Sequence, residues 1–94
     1  MKVATKNPNK LIKDIIENIE TKSIRSWKYE KDLFYHKGKQ YINHIYFSYS
    51  INSFKSTIEF ELHSDGDSFA TSRGLQLLES MLLRHFNNRI EIIK

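Results

Sequence analysis

The chain contains no cysteine, one proline and three glycines in 94 residues. Without thiols there are neither disulfide staples nor thiolate metal sites. Three isolated glycines cannot build a glycine-rich phosphate loop, and no Ser/His/Asp spacing of a nucleophilic enzyme is recognisable. Apolar stretches last only a few residues, far short of the roughly 20 that span a bilayer. Residues 1–10 are polar and have no apolar centre, which argues against a secretory signal. These absences predict a cytoplasmic chain with no cofactor, no metal and no membrane partner.

What remains is ordinary globular material. A hydrophobic share of 39% with a charged share of 28% is enough apolar surface for a core and too little charge for disorder. The length suits one domain over residues 1–94, since a second core would not fit. Residues 1–6, before the first periodic segment, read as a flexible tail. The net charge of +4 is uneven: residues 1–55 carry 11 Lys/Arg against 5 Asp/Glu, and residues 56–94 carry 4 against 6. A basic half steers acidic partners or nucleic acid.

Asn7 and Pro8 form a helix start, a cap followed by a residue whose missing N–H is harmless there. Leu11, Ile12, Ile15, Ile16 and Ile19 then make one apolar stripe. From residue 24 the period changes to two. Residues 24–30 read as a strand, Lys31-Asp32 as a turn, and residues 33–36 as a short second strand. Residues 41–51 form the strongest strand pattern, with Tyr41, Ile45, Phe47, Tyr49 and Ile51 on the inner face. A loop over residues 52–55 leads to residues 56–63, with Ile58, Phe60 and Leu62 inward. If Ile51 faces Ser56, then Phe47 faces Phe60, Ile45 faces Leu62 and Tyr49 faces Ile58, so inner residues meet inner residues. Outside, His44 then faces His63, Tyr46 faces Glu61 and Ser48 faces Glu59.

Asp67 or Ser68 caps a second helix. Its apolar face is Phe69, Leu75, Leu78, Leu82 and Phe86, widened by Ala70, Leu77 and Met81. Gly74, four residues after Ala70, permits close approach to a sheet; inside a helix it costs about 1 kcal/mol. Asn87-Asn88 ends the helix, and residues 89–93 alternate as a closing strand. The predicted fold is α+β: an antiparallel sheet of three to five strands with two helices packed on one face, in the order α-β-(β)-β-β-α-β. The other sheet face is left to water or to a partner.

That outward face holds the candidate site: His44, Tyr46, Glu59, Glu61 and His63, with Lys28, Lys37 and Lys39 as a neighbouring basic region. Two histidines and a carboxylate have the chemistry of a metal-free general acid–base pair, but two histidines lack the third protein ligand a metal normally needs. A polar solvated face accounts for the same residues without chemistry. His36 and His85 have no positioned partner. Trp27, Tyr29, Tyr35 and Tyr46 are aromatics of the kind favoured at interface centres.

The helix and strand order resembles that of double-stranded-RNA-binding domains in topology. Those domains grip phosphates with a lysine cluster at the start of their second helix. Here residues 65–73 read Asp65-Gly66-Asp67-Ser68-Phe69-Ala70-Thr71-Ser72-Arg73, an acidic start. Since phosphate contacts dominate nucleic-acid affinity, nucleic-acid binding or a toxin-type ribonuclease activity is the second choice.

Two stretches carry a further resemblance. One is Ile24-Arg25-Ser26-Trp27, followed by Leu33-Phe34-Tyr35-His36 and Gln40-Tyr41. The other runs from Ser72-Arg73-Gly74-Leu75 to Leu82-Leu83-Arg84-His85-Phe86. Together they resemble a group of small bacterial α/β proteins that includes immunity-type partners of contact-dependent and polymorphic toxins. The resemblance implies a non-catalytic, toxin-inhibiting binding protein, and the basic region around Lys28, Lys37 and Lys39 suits an acidic toxin domain as its partner. It supplies no catalytic residue and leaves monomer and homodimer open.

Overall fold

The Asn7 side chain accepts the Lys10 N–H at 3.1 Å, and Pro8 takes the first turn of the helix that follows. The computed structural model describes residues 1–93. Its elements are β1 (Lys2–Ala4), α1 (Pro8–Glu20), β2 (Trp27–Glu30), β3 (Leu33–His36), β4 (Ile45–Asn52), β5 (Thr57–Ser64), α2 (Ser68–Phe86), a 3-10 turn at Asn87–Arg89, and β6 (Glu91–Ile93). All strand pairs are antiparallel, in a six-stranded sheet of order β2-β3-β4-β5-β1-β6.

Local chemistry explains the turns. Lys22 closes α1 in the left-handed region at φ 66°, and its N–H donates to Ile19 O at 3.2 Å. Lys31 and Asp32, at φ 52° and 67°, make the two left-handed residues of a type I′ turn between β2 and β3. Asp67 caps α2 by accepting the Ala70 N–H at 2.9 Å. No helix is long and apolar enough to cross a membrane among the described residues.

The inner face of the sheet supplies Val3, Trp27, Phe34, Ile45, Phe47, Ile58 and Phe60 to one core, joined by Leu11, Ile12 and Ile15 of α1 and Leu78, Met81, Leu82 and Phe86 of α2. Both helices therefore cover the same face. Gly74 lies over the central strands: a Cβ added there would come 3.0 Å from Leu62 Cδ1 and 3.1 Å from Ile45 Cδ1. Arg89 ties the end of α2 to α1 through a 2.8 Å ion pair with Asp14. That guanidinium, chiefly, holds the Asp14 carboxyl below the usual range.

The α+β class is as expected, but the sheet has six strands rather than three to five. The extra strand is β1, in the segment expected to be a tail. Val3 is fully buried, and β1 pairs with β5 on one side and β6 on the other. Three residues with a single inward side chain carry no visible period, so only the two neighbouring strands define the element.

The central hairpin keeps the expected faces but not the expected register. Ile51 pairs with Ile58, Tyr49 with Phe60, Phe47 with Leu62 and Tyr46 with His63. The pairing is displaced by two residues from the expected one, and the loop is residues 53–56. Asn52 accounts for the shift: it pairs with Thr57 while its side chain accepts the Lys55 N–H at 3.0 Å. Ser56 then takes φ 54°. Because side chains alternate with period two, a shift of two preserves both faces.

Two smaller expectations also change. Residues 41–44 form a turn rather than the start of β4, with the Ile42 N–H donating to Gly38 O and the Ile45 N–H to Tyr41 O. Phe69 and Leu75 are exposed, because the buried line of α2 runs through Ala70, Gly74 and Leu78. One residue either side of that line is turned about 100° away.

Candidate functional site

The outward face of β2–β5 is free of helices. Lys28 pairs with Tyr35 across β2–β3, and Tyr46 pairs with His63 across β4–β5. Phe34 opposite Phe47 brings Tyr35 beside Tyr46. The four outward side chains thus form one row. Lys28 Nζ sits 4.9 Å from the Tyr35 ring centroid. The Tyr35 and Tyr46 rings are 5.8 Å apart at 37°. Tyr46 and His63 are stacked, 4.8 Å apart and 10° from parallel. His63 Nε2 lies 2.8 Å from Ser48 Oγ.

Beyond the row lies a carboxylate region. Glu61 is opposite Ser48, and Glu59 is opposite both Ser50 and Lys2. Both glutamates are exposed. The face therefore runs from cationic and aromatic at Lys28 to acidic at Glu59.

His44 lies just before β4. Its Nδ1 is 2.8 Å from Asp65 Oδ2, and the Asp65 N–H donates to His44 O at 2.9 Å. The Asp65 carboxylate raises the His44 imidazole above its ordinary value. Asp65 itself is held low, first by the Asp67 N–H donated to its Oδ1 and then by His44. His44, Tyr46 and His63 line one shallow depression together with Tyr35 and Asp65.

Of the expected residues, Lys28, Tyr46, Glu59, Glu61 and His63 share the outward face, with His44 at its end. The expected His44–His63 and Tyr46–Glu61 facing pairs are corrected to His44 beside Asp65 and Tyr46 opposite His63. Lys37 and Lys39 lie in the exposed turn after β3, and among the described residues neither makes a side-chain hydrogen bond or ion pair. Of the four aromatics considered as a cluster, Trp27 belongs to the core and Tyr29 packs against it. Tyr29 OH donates to Asp32 at 2.9 Å and meets Tyr49 OH at 3.1 Å; burial, before either contact, raises its phenol well above the ordinary value.

Tyr35 was expected only among the interface-type aromatics and not beside Lys28 and Tyr46 in one row, and Asp65 was not expected at all. Tyr35 was reachable from Phe34, since neighbours in a strand face opposite ways. Asp65 carried no such signal, because its contact with His44 depends on the hairpin register.

The chemical capacity of this face is limited. Ser48 and His63 have the spacing of a nucleophile and base, but among the described residues no carboxylate bonds the other nitrogen of His63. A triad needs that orienting partner. No group of three or more His, Asp or Glu suited to a metal occurs among the described residues. The face can offer hydrogen bonds, aromatic contact and graded charge. No protein-family model, no characterised protein and no solved structure matches this chain.

Proposed function

We propose that the protein is a non-catalytic binding domain that covers a protein partner with the outward face of its sheet, as a toxin-neutralising immunity-type protein does. The observation that carries this reading is the row Lys28–Tyr35–Tyr46–His63 on a face that no helix covers. Tyrosine supplies large, rigid contact area at low entropic cost and is enriched at interface hot spots. Lys28, Lys37 and Lys39 favour an acidic partner and speed its approach. The toxin class of the partner rests on the sequence resemblance alone.

Nucleic acid is the weaker reading on the same surface. Base stacking needs open ring faces, and Tyr46 and His63 already turn theirs toward each other. Glu61 beside them repels phosphates, while Glu59 and Asp65 already hold the Met1 ammonium and His44. The reading keeps one supporting observation, that His44 and His63 line one depression.

Co-expression with the product of the neighbouring gene tests the proposal. A complex that survives size exclusion, together with relief of that product's toxicity, is the expected result. Absence of a complex, with salt-sensitive RNA binding instead, would move the assignment to the nucleic-acid reading.

A further inference from the structure

A second concave feature lies on the helix side of the sheet, away from the outward face. It is a cleft of about 540 Å³ where the segment leading into β2 meets the last turns of α2. Arg25 and Arg84 line it, with His36 and His85 and the hydroxyls of Ser26 and Ser80. Trp27, Leu77 and Met81 supply its apolar wall. No aspartate or glutamate lines it.

The two arginines differ from the other two in the chain. Arg89 is paired with Asp14 at 2.8 Å, and Arg73 lies over the Phe69 ring at 5.0 Å. Arg25 makes one long bond, from Nε to Lys22 O at 3.4 Å. Arg84 has no hydrogen bond or ion pair among the described residues. Two guanidiniums in a concave wall without a counter-charge focus a positive potential into it. Their planar forks match anions that accept two bonds at once. His36 accepts the Gly38 N–H through Nδ1 at 3.0 Å, so in the neutral ring its proton is on Nε2 and remains available as a donor.

We propose that this cleft binds a small phosphate monoester, its phosphate held by Arg25 and Arg84 and its organic part against the apolar wall. The donors favour phosphate over carboxylate: guanidiniums, hydroxyls and an imidazole exceed what two carboxylate oxygens use, whereas a phosphate monoester presents three terminal oxygens. The volume falls within the roughly 300–1,000 Å³ range of small-molecule sites. The C-terminal end of α2 opposes an anion with about half a negative charge, but two full positive charges outweigh it. Trp27 is only 3% exposed, so the wall offers a limited apolar contact rather than an open stacking plane.

The proposal is independent of the protein-binding face. It is tested by titrating the isotope-labelled full chain with inorganic phosphate, sulfate, a hexose phosphate and adenosine monophosphate, followed by amide NMR. Saturable shifts confined to residues 23–27, residue 36 and residues 77–85 are expected. Arg84→Ala is expected to weaken binding about tenfold or more, the scale of a lost charge-assisted contact, and Arg25→Ala/Arg84→Ala to abolish it. Both arginines are exposed, so the variants should fold, which their melting curves verify. Tighter binding of the nucleotide assigns a nucleotide; tighter binding of the hexose phosphate assigns a sugar phosphate. Absence of saturable shifts, equal response to sulfate with no gain from either ester, or undiminished binding by the double variant each overturns the proposal.

Discussion

Tyr46 and His63 stack across the central hairpin, their ring centroids 4.8 Å apart and their planes within 10°. They are opposite each other on β4 and β5, on the sheet face that no helix covers among the described residues. Cross-strand pairs of this kind contribute about 0.2–1 kcal/mol. Tyr46→Ala should therefore lower stability by about 1 kcal/mol or less, read by urea denaturation. A much larger loss would mean that Tyr46 belongs to the core rather than to a contact surface.

The first strand gives a sharper stability prediction. Val3 is fully buried between β5 and β6 partners, so Val3→Ala should cost about 2 kcal/mol. Removing residues 1–4 should cost more, since among the described residues β1 is the only strand that pairs with β6. An unchanged denaturation midpoint in the truncated chain would contradict the six-stranded sheet and restore the tail.

Gly74 tests the seating of α2 on the sheet. Alanine would gain helix propensity while pressing on Leu62 and Ile45, two effects of opposite sign. Valine adds branched bulk at the same point, and Gly74→Val should cost about 2 kcal/mol. A stabilised valine variant would show that the helix stands further from β4 and β5.

Two histidines should respond to pH in opposite senses. The His44 value is raised from 6.5, chiefly by Asp65. Its contribution to stability is fully present below 6.5 and is lost as pH rises through the raised folded-state value. The Asp65 value is lowered from 3.8, so its contribution is present above 3.8 and is lost as pH falls through the lowered value. The pair thus supports the fold most between these limits. Burial lowers the His36 value, so stability falls as pH drops from 6.5 through it. An NMR titration should find His44 ionising above 6.5 and His36 below. In Asp65→Asn, His44 should fall toward 6.5 while His36 stays. Equal His44 values in both proteins would remove the ion pair.

Much of this was readable from residue order, and the rest was hidden for identifiable reasons. Alternation separated Ile45, Phe47, Ile58 and Phe60 from Tyr46, Glu59, Glu61 and His63, and those faces hold. The same alternation is blind to a shift of two, so the partner of Tyr46 needed the Asn52 loop contact to identify it. The caps at Asn7 and Asp67 are local chemistry and were legible. β1 and the Asp65 partner of His44 exist only through distant chain, and no short window contains them. The cleft around Arg25 and Arg84 likewise joins segments far apart in sequence.

The central claim is that the Lys28–Tyr35–Tyr46–His63 row contacts a protein partner. The most direct measurement compares the wild-type and Tyr46→Ala chains by calorimetry against the product of the neighbouring gene. The account predicts a loss of affinity of about tenfold or more, the scale of a hot-spot residue, in a variant that still folds. Equal affinity of the two chains would contradict it.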